Sequence, residues 1–252
     1  MSSITTLGSS ACGITNASYV LDTTNTVDLS GGFNVALYVL FNTSIANNQK
    51  IDGIQVEINA KRSGSFNPTI YLYRQSDGCG SPSVLAGSKT VSLTESMSSV
   101  FVGGSTDLWG ANELYYDDLF NIKIPAVFHT TITLNYIKIT VYYSPASAPT
   151  AISNLNGSVN GSQINLSWSK AYDGGTHLTS QKVYRGTSSG NETLYATIST
   201  SATSYIDTAP QIGNNYYKIL TTNAVGSTFS NEINVIYTPA QHDNATMFGF
   251  NF

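Results

Sequence analysis

Gln163-Ile164-Asn165-Leu166-Ser167-Trp168 alternates apolar and polar residues and closes on a lone tryptophan. A period of two marks a strand with one face buried, and the ring at its end predicts an anchor for a β-sandwich core. The same period recurs outward in both directions. Before this stretch it runs through Phe33 to Phe41, Ile51 to Ala60, Thr69 to Arg74 and Thr131 to Tyr143; after it, through Gln181 to Tyr184, Tyr216 to Thr222 and Glu232 to Tyr237. Clusters of Gly, Asn, Ser and Asp separate the runs, which is turn chemistry. Helical periodicity is nearly absent. One stretch, Asn112 to Phe120, admits a helical turn with Asn112 as its cap. The fold class expected is all-β.

A chain of 252 residues makes one large or two ordinary domains. Ser144-Pro145-Ala146-Ser147-Ala148-Pro149 sets the boundary, because two prolines among small residues cannot continue a strand ladder. The expected organisation is a domain over residues 1–144, a linker over 145–148, a second domain over 149–238 and a tail over 239–252. The first domain holds about eight strand candidates, enough for a jelly-roll-like sandwich.

Charged residues make up 10% of the chain, far below the usual quarter or so. Hydrophobic residues make up 41%, with 16 Tyr and 10 Phe, so the chain carries real cores and is not a disordered sequence. The net charge is −4, and the tightest basic pair is Lys61-Arg62. No basic stripe exists to bind nucleic acid. No run of 18 apolar residues predicts a membrane helix. The first residues lack the basic and apolar regions of a secretory signal, so synthesis and release into a cytoplasm are expected. Cys12 and Cys79 form no C-x-x-C pair, and whether they meet is left open.

Catalytic chemistry is sought and not found. His129, His177 and His242 lie far apart without ligand spacing, and no G-x-S-x-G elbow occurs. Glu113, Asp117 and Asp118 lack the spacing of a calcium loop. The expectation is therefore a non-enzyme with no catalytic residue, cofactor or metal. Two features point instead to contacts. In Gly103-Gly104-Ser105-Thr106-Asp107-Leu108-Trp109-Gly110 the glycines permit a tight turn. Trp109 either plugs one end of the core, or Asp107 and Trp109 form a surface contact for a sugar or partner. At the C-terminus Phe248, Phe250 and Phe252 alternate about Gly249 and Asn251. In an extended segment they share one face, suited to docking on a neighbouring subunit or folding back on their own domain.

Two resemblances follow from these residues. Trp168, the strand Tyr217-Lys218-Ile219-Leu220-Thr221 and the turn Asn223-Ala224-Val225-Gly226 stand in the order and spacing of a fibronectin type III domain, over the whole segment 149–238. That resemblance implies an Ig-like sandwich, makes Tyr217 the tyrosine-corner residue, and implies spacing and binding rather than chemistry. There is no Arg-Gly-Asp, so integrin-type adhesion is not implied. In the first domain, Gly53-Ile54-Gln55-Val56, the Gly103–Gly110 loop and the closing Val141-Tyr142-Tyr143 resemble β-sandwich domains of tailed-phage structural proteins.

The function expected is a virion structural protein of a tailed phage: a head-decoration, neck or tail accessory component. It assembles by surface burial and displays the fibronectin-like domain, with host-surface adhesion as an added role. Its partners are other virion proteins or copies of itself, and a cell-surface glycan. It is made in the host cytoplasm and is extracellular after release. The alternative is a secreted adhesin or carbohydrate-binding module.

Overall fold

The computed structural model describes residues 1–7, 10–12, 26–30, 36–41, 44–75, 84–126 and 129–239. Among these the chain forms eighteen strands and no helix. It divides into two units, Met1–Ala146 and Ser147–Phe252.

The first unit pairs β1 (Ser2–Leu7), β3 (Val27–Leu29), β5 (Gln49–Ser63), β8 (Ser98–Gly103) and β10 (Thr131–Pro145) into one antiparallel sheet. Its order is β1-β10-β5-β8, with β3 also on β10. The second sheet contains β2 (Ser10–Cys12), β4 (Ala36–Phe41), β6 (Thr69–Gln75), β7 (Val84–Thr90) and β9 (Leu119–Pro125), in the order β2-β4-β9-β6-β7. The path β3-β10-β5-β8 facing β4-β9-β6-β7 is jelly-roll connectivity, with β1 and β2 as additions. One core joins the inner faces: Val56 and Ile58 of β5 and Ile139 of β10 meet Val39 of β4, Leu72 of β6 and Ile122 of β9.

A bulge explains a phase change in β10. Ile132 and Leu134 point inward, then Ile137, Ile139 and Val141 do. Pairing with β5 shifts between Leu134 and Tyr136, so Asn135 is the extra residue and the buried set moves from even to odd positions. A second shift at Tyr142/Tyr143 makes Asp52 the extra residue on β5.

The second unit sets β11 (Asn156–Asn160), β12 (Gln163–Ser167) and β15 (Ser204–Asp207) in one sheet. The other holds β14 (Thr193–Ile198), β13 (Ser180–Gly186) and β16 (Gly213–Thr222), with β17 (Ser227–Phe229) and β18 (Ile233–Tyr237) sharing the free edge of β16. This is the three-on-four antiparallel sandwich of a fibronectin type III-like fold, its last strand broken in two. Ile164, Leu166 and Trp168 from one sheet pack with Val183, Tyr217 and Ile219 from the other. Asn223 fixes the closing turn: its Oδ1 accepts from the backbone N–H groups of Val225 and Gly226, and its Nδ2 donates to the Ser147 and Asp173 carbonyls.

Two expectations change in detail. Pro145 does not open the linker but ends β10, opposite Gln49, where a last ladder position tolerates the missing donor. Ala146 N–H donates to Asn48 O and Ser147 N–H to Gly174 O, so each belongs to its own unit. The helical turn expected over Asn112 to Phe120 is absent. Asp118 Oδ2 instead accepts from Tyr115 N–H at 2.7 Å while Asp118 N–H donates back to Tyr115 O at 3.0 Å. Phe120 then joins β9 with its ring buried.

Candidate functional site

Asp107 and Trp109 occupy the loop after β8. Trp109 is 4% exposed, and its indole N–H donates to Ile54 O at 2.9 Å. The ring therefore plugs the end of the jelly roll, and the surface contact considered for Trp109 is corrected. Its polar edge is satisfied inside and its apolar face is packed. The loop makes this possible through close approaches. A Cβ on Gly87 would overlap the Trp109 carbonyl oxygen, and one on Gly103 (φ +81°) the Ile54 carbonyl oxygen. Trp109 itself takes φ +60°, a left-handed conformation held by a hydrogen bond from its N–H to Asp107 Oδ1 at 2.8 Å. Lys89 Nζ lies 2.7 Å from the other Asp107 oxygen and 5.3 Å from the indole centroid. Burial raises the Asp107 carboxyl's pKa, but the bonds from Lys89 and Trp109 N–H outweigh it and hold the group below the usual range. Asp107 thus positions Trp109.

Phe248, Phe250, Phe252 and His242 lie outside the described residues, as does Cys79. His177 is exposed; His129 is an exposed turn residue at φ +53° ahead of β10. Glu113 Oε2 accepts from Tyr115 Oη, and the Asp118 oxygen accepts from backbone, so these carboxylates are used locally. No group of three or more His, Cys, Asp or Glu is placed to hold a metal among the described residues.

The outer face of β5, β8 and β10 carries a polar network. Glu57 Oε1 accepts from Tyr136 Oη at 2.6 Å and Ser99 Oγ at 2.8 Å, and Lys138 Nζ sits 4.3 Å above the Tyr136 ring. Burial raises the Glu57 carboxyl, but Tyr136, Ser99 and Lys138 overcome it and depress it. Every member is committed to another, so the face is a braced sheet surface.

A fully buried polar centre lies in the second unit, at a residue the sequence does not single out. Asp207, the last residue of β15, points inward with no exposed side-chain surface. Its Oδ2 accepts from Tyr217 Oη at 2.6 Å and Arg185 Nη1 at 2.8 Å. Its Oδ1 accepts from Tyr195 Oη at 2.8 Å and Ala209 N–H at 3.0 Å. Burial raises its pKa, and the four donors more than reverse that, so it stays ionised below the usual carboxylate range. Burial and the Asp207 charge push the Tyr217 hydroxyl far up. Tyr217 is thus the buried corner tyrosine at the expected position, with a side-chain carboxylate as its acceptor. The signal available in sequence was the period itself: an aspartate at an inward position of Tyr205-Ile206-Asp207.

Beyond Arg185 lies an open pocket of ≈ 280 Å³ lined by Arg185, Gly186, Thr187, Asn191, Thr193, Tyr195 and Gln211. The Arg185 guanidinium stacks 3.8 Å over the Tyr195 ring, with Nη1 also donating to Ala209 O.

No family model matches this chain, and no curated protein matches it. Solved structures do. An Fn3-like protein from Clostridium thermocellum is 32% identical, over 38% of this chain and 100% of that one, with a TM-score of 0.31. The sixth fibronectin type III domain of human fibronectin type III domain containing protein 3 is 17% identical, over 39% and 94%, at 0.34. A β-1,2-glucanase from Parabacteroides distasonis is 16% identical, over 95% of this chain and 37% of its own length, also at 0.34.

Proposed function

We propose that this chain is a non-catalytic structural and binding protein, a virion component of a tailed phage that assembles by burying its own surface and presents its fibronectin-like unit for adhesion. The observation that carries the assembly role is an apolar band on the outer face of the second unit. Outward faces of sandwich strands are ordinarily polar. Here Leu194 is 53% and Phe229 44% exposed, and the Tyr184 ring meets Phe229 edge-on at 5.2 Å. Leu194 pairs with Tyr184, and Leu220 with Phe229, so all four share that face. Such a band is unspent hydrophobic surface of the kind that interfaces cover. The Phe248/Phe250/Phe252 tail is proposed as a second contact, and the virion reading rests on the motif pattern at Gly53, Gly103–Gly110 and Val141–Tyr143.

The perturbed carboxylates support a non-catalytic reading: Asp107, Glu57 and Asp207 are each engaged by protein donors. The test is the solution mass of the Leu194→Ser/Phe229→Ser protein beside the parent. A parent oligomer that falls toward monomer supports assembly through this face; an unchanged mass removes the face from the account. A secreted adhesin or carbohydrate-binding module is the second reading. It is favoured by the polar pocket beside Arg185, and it predicts a monomer that binds glycan.

A further inference from the structure

The pocket beside Arg185 has a chemistry narrow enough to name a ligand class. Four backbone pieces build it: the end of β13, the start of β14, the hairpin between them, and Gln211 ahead of β16. The hairpin is tied down from outside. Glu232 Oε1 accepts from Ser189 Oγ at 2.6 Å and its Oε2 from Gly190 N–H at 3.1 Å, while Lys218 Nζ joins Glu232 and Glu192 at 2.9 and 3.0 Å. The opposite wall is held by Asn215, whose Oδ1 accepts from Gln211 N–H and whose Nδ2 donates to Gln211 O. The walls are therefore preorganised.

What they present is open to solvent and, apart from Arg185, uncharged. The side chains of Gln211, Thr187 and Thr193 have no protein hydrogen-bond partner among the described residues, and neither do the Arg185 Nε and Nη2 groups. An amide and two hydroxyls supply donors and acceptors together. Arg185 is the one charged side chain in the lining, and Asp207 already balances it at 2.8 Å. With no second cation, a phosphate or carboxylate would find little net positive charge; a neutral ligand rich in hydroxyls finds matched partners. The volume of ≈ 280 Å³ lies just under the range of drug-sized sites, about 300–1,000 Å³, and suits one sugar ring.

We propose that this pocket binds a single neutral sugar ring, the exposed residue of a surface glycan, with Gln211, Thr193, Thr187 and the free Arg185 N–H groups as its contacts. This rests on the adhesive part of the reading above and is independent of the assembly part.

The test uses the full chain and two variants, Gln211→Ala/Thr193→Val and Thr187→Trp, each checked for an unchanged melting profile. The first removes two unpartnered groups without breaking an internal bond; the second fills the volume. Probes are glucose, galactose, mannose and N-acetylglucosamine, with galacturonate and sialic acid as anionic comparators, by ligand-observed NMR titration, beside binding to a glycan array. Saturable binding of a neutral sugar, weakened about tenfold or more by the first variant and abolished by the second, is expected. Preference for the anionic sugars overturns the ligand class. Glycan binding that both variants leave unchanged overturns the pocket while leaving adhesion standing. No binding to any probe overturns both.

Discussion

Replacing Asp207 by Asn should destabilise the second unit, relative to the parent, far more at neutral pH than at acid pH. The carboxylate accepts four hydrogen bonds: from the buried Tyr217 hydroxyl, the part-buried Tyr195 hydroxyl, the Arg185 guanidinium and the Ala209 backbone N–H. An amide retains one acceptor oxygen and places an NH2 group against donors, leaving the buried Tyr217 hydroxyl or Arg185 without its partner. Breaking one member of a buried charge pair costs roughly 3–5 kcal/mol. In a domain of about 100 residues that lowers Tm by more than about 10 °C. The pH dependence has a definite sign. Asp207 is depressed in the folded state, so its contribution is present above its unfolded value, about 3.9, and is lost as pH falls through the folded value. The gap between parent and variant should therefore narrow as pH is lowered from 7 toward 2. Calorimetric scans of the full chain at a series of pH values measure it. A drop below about 3 °C at pH 7, or a gap that does not change with pH, would refute the assignment of Asp207 as the ionised centre of the unit.

Trp109→Ala should destabilise the first unit by about 3–5 kcal/mol and leave the second untouched, seen as one shifted transition of two. Gly87→Ala should act on the same unit, by about 1–3 kcal/mol, because its methyl group displaces the Trp109 backbone; a neutral result would contradict the packing of the corner. Lys89→Ala should cost less than about 1 kcal/mol, since its pair with Asp107 is part-exposed, and the small effect should fade further in high salt.

The period-two runs carried most of the fold. β4, β5, β6, β10, β12, β13, β16 and β18 overlap the alternating stretches, because one buried face leaves a direct trace in sequence. The jelly-roll pairing left no such trace. β10 lies beside β5, β1 and β3 through contacts far apart along the chain, which no local pattern encodes. The two units divide between Ala146 and Ser147, and Pro145 as the final rung of β10 left no sign in the sequence. At the corner, the glycines and Trp109 were legible as a turn and a large ring. Whether the ring faced in or out depended on Gly87 and Ile54, which come from other strands. Asp207 was missed for the same reason: Arg185, Tyr195 and Tyr217 arrive from three different strands, and the aspartate alone reads as a turn residue before a hairpin. The pocket beside Arg185 is more local, built from the β13–β14 hairpin with Gln211 from one other segment, but its residues carry no pattern that marks a concave surface.

On the function proposed above, this protein works by assembling. Light scattering on the full chain beside the chain lacking Thr246 to Phe252 tests it most directly. The account predicts a full-length oligomer that becomes a smaller, still folded species on truncation. Two folded monomers of the same solution behaviour would contradict self-assembly through the tail and favour an independent binding module.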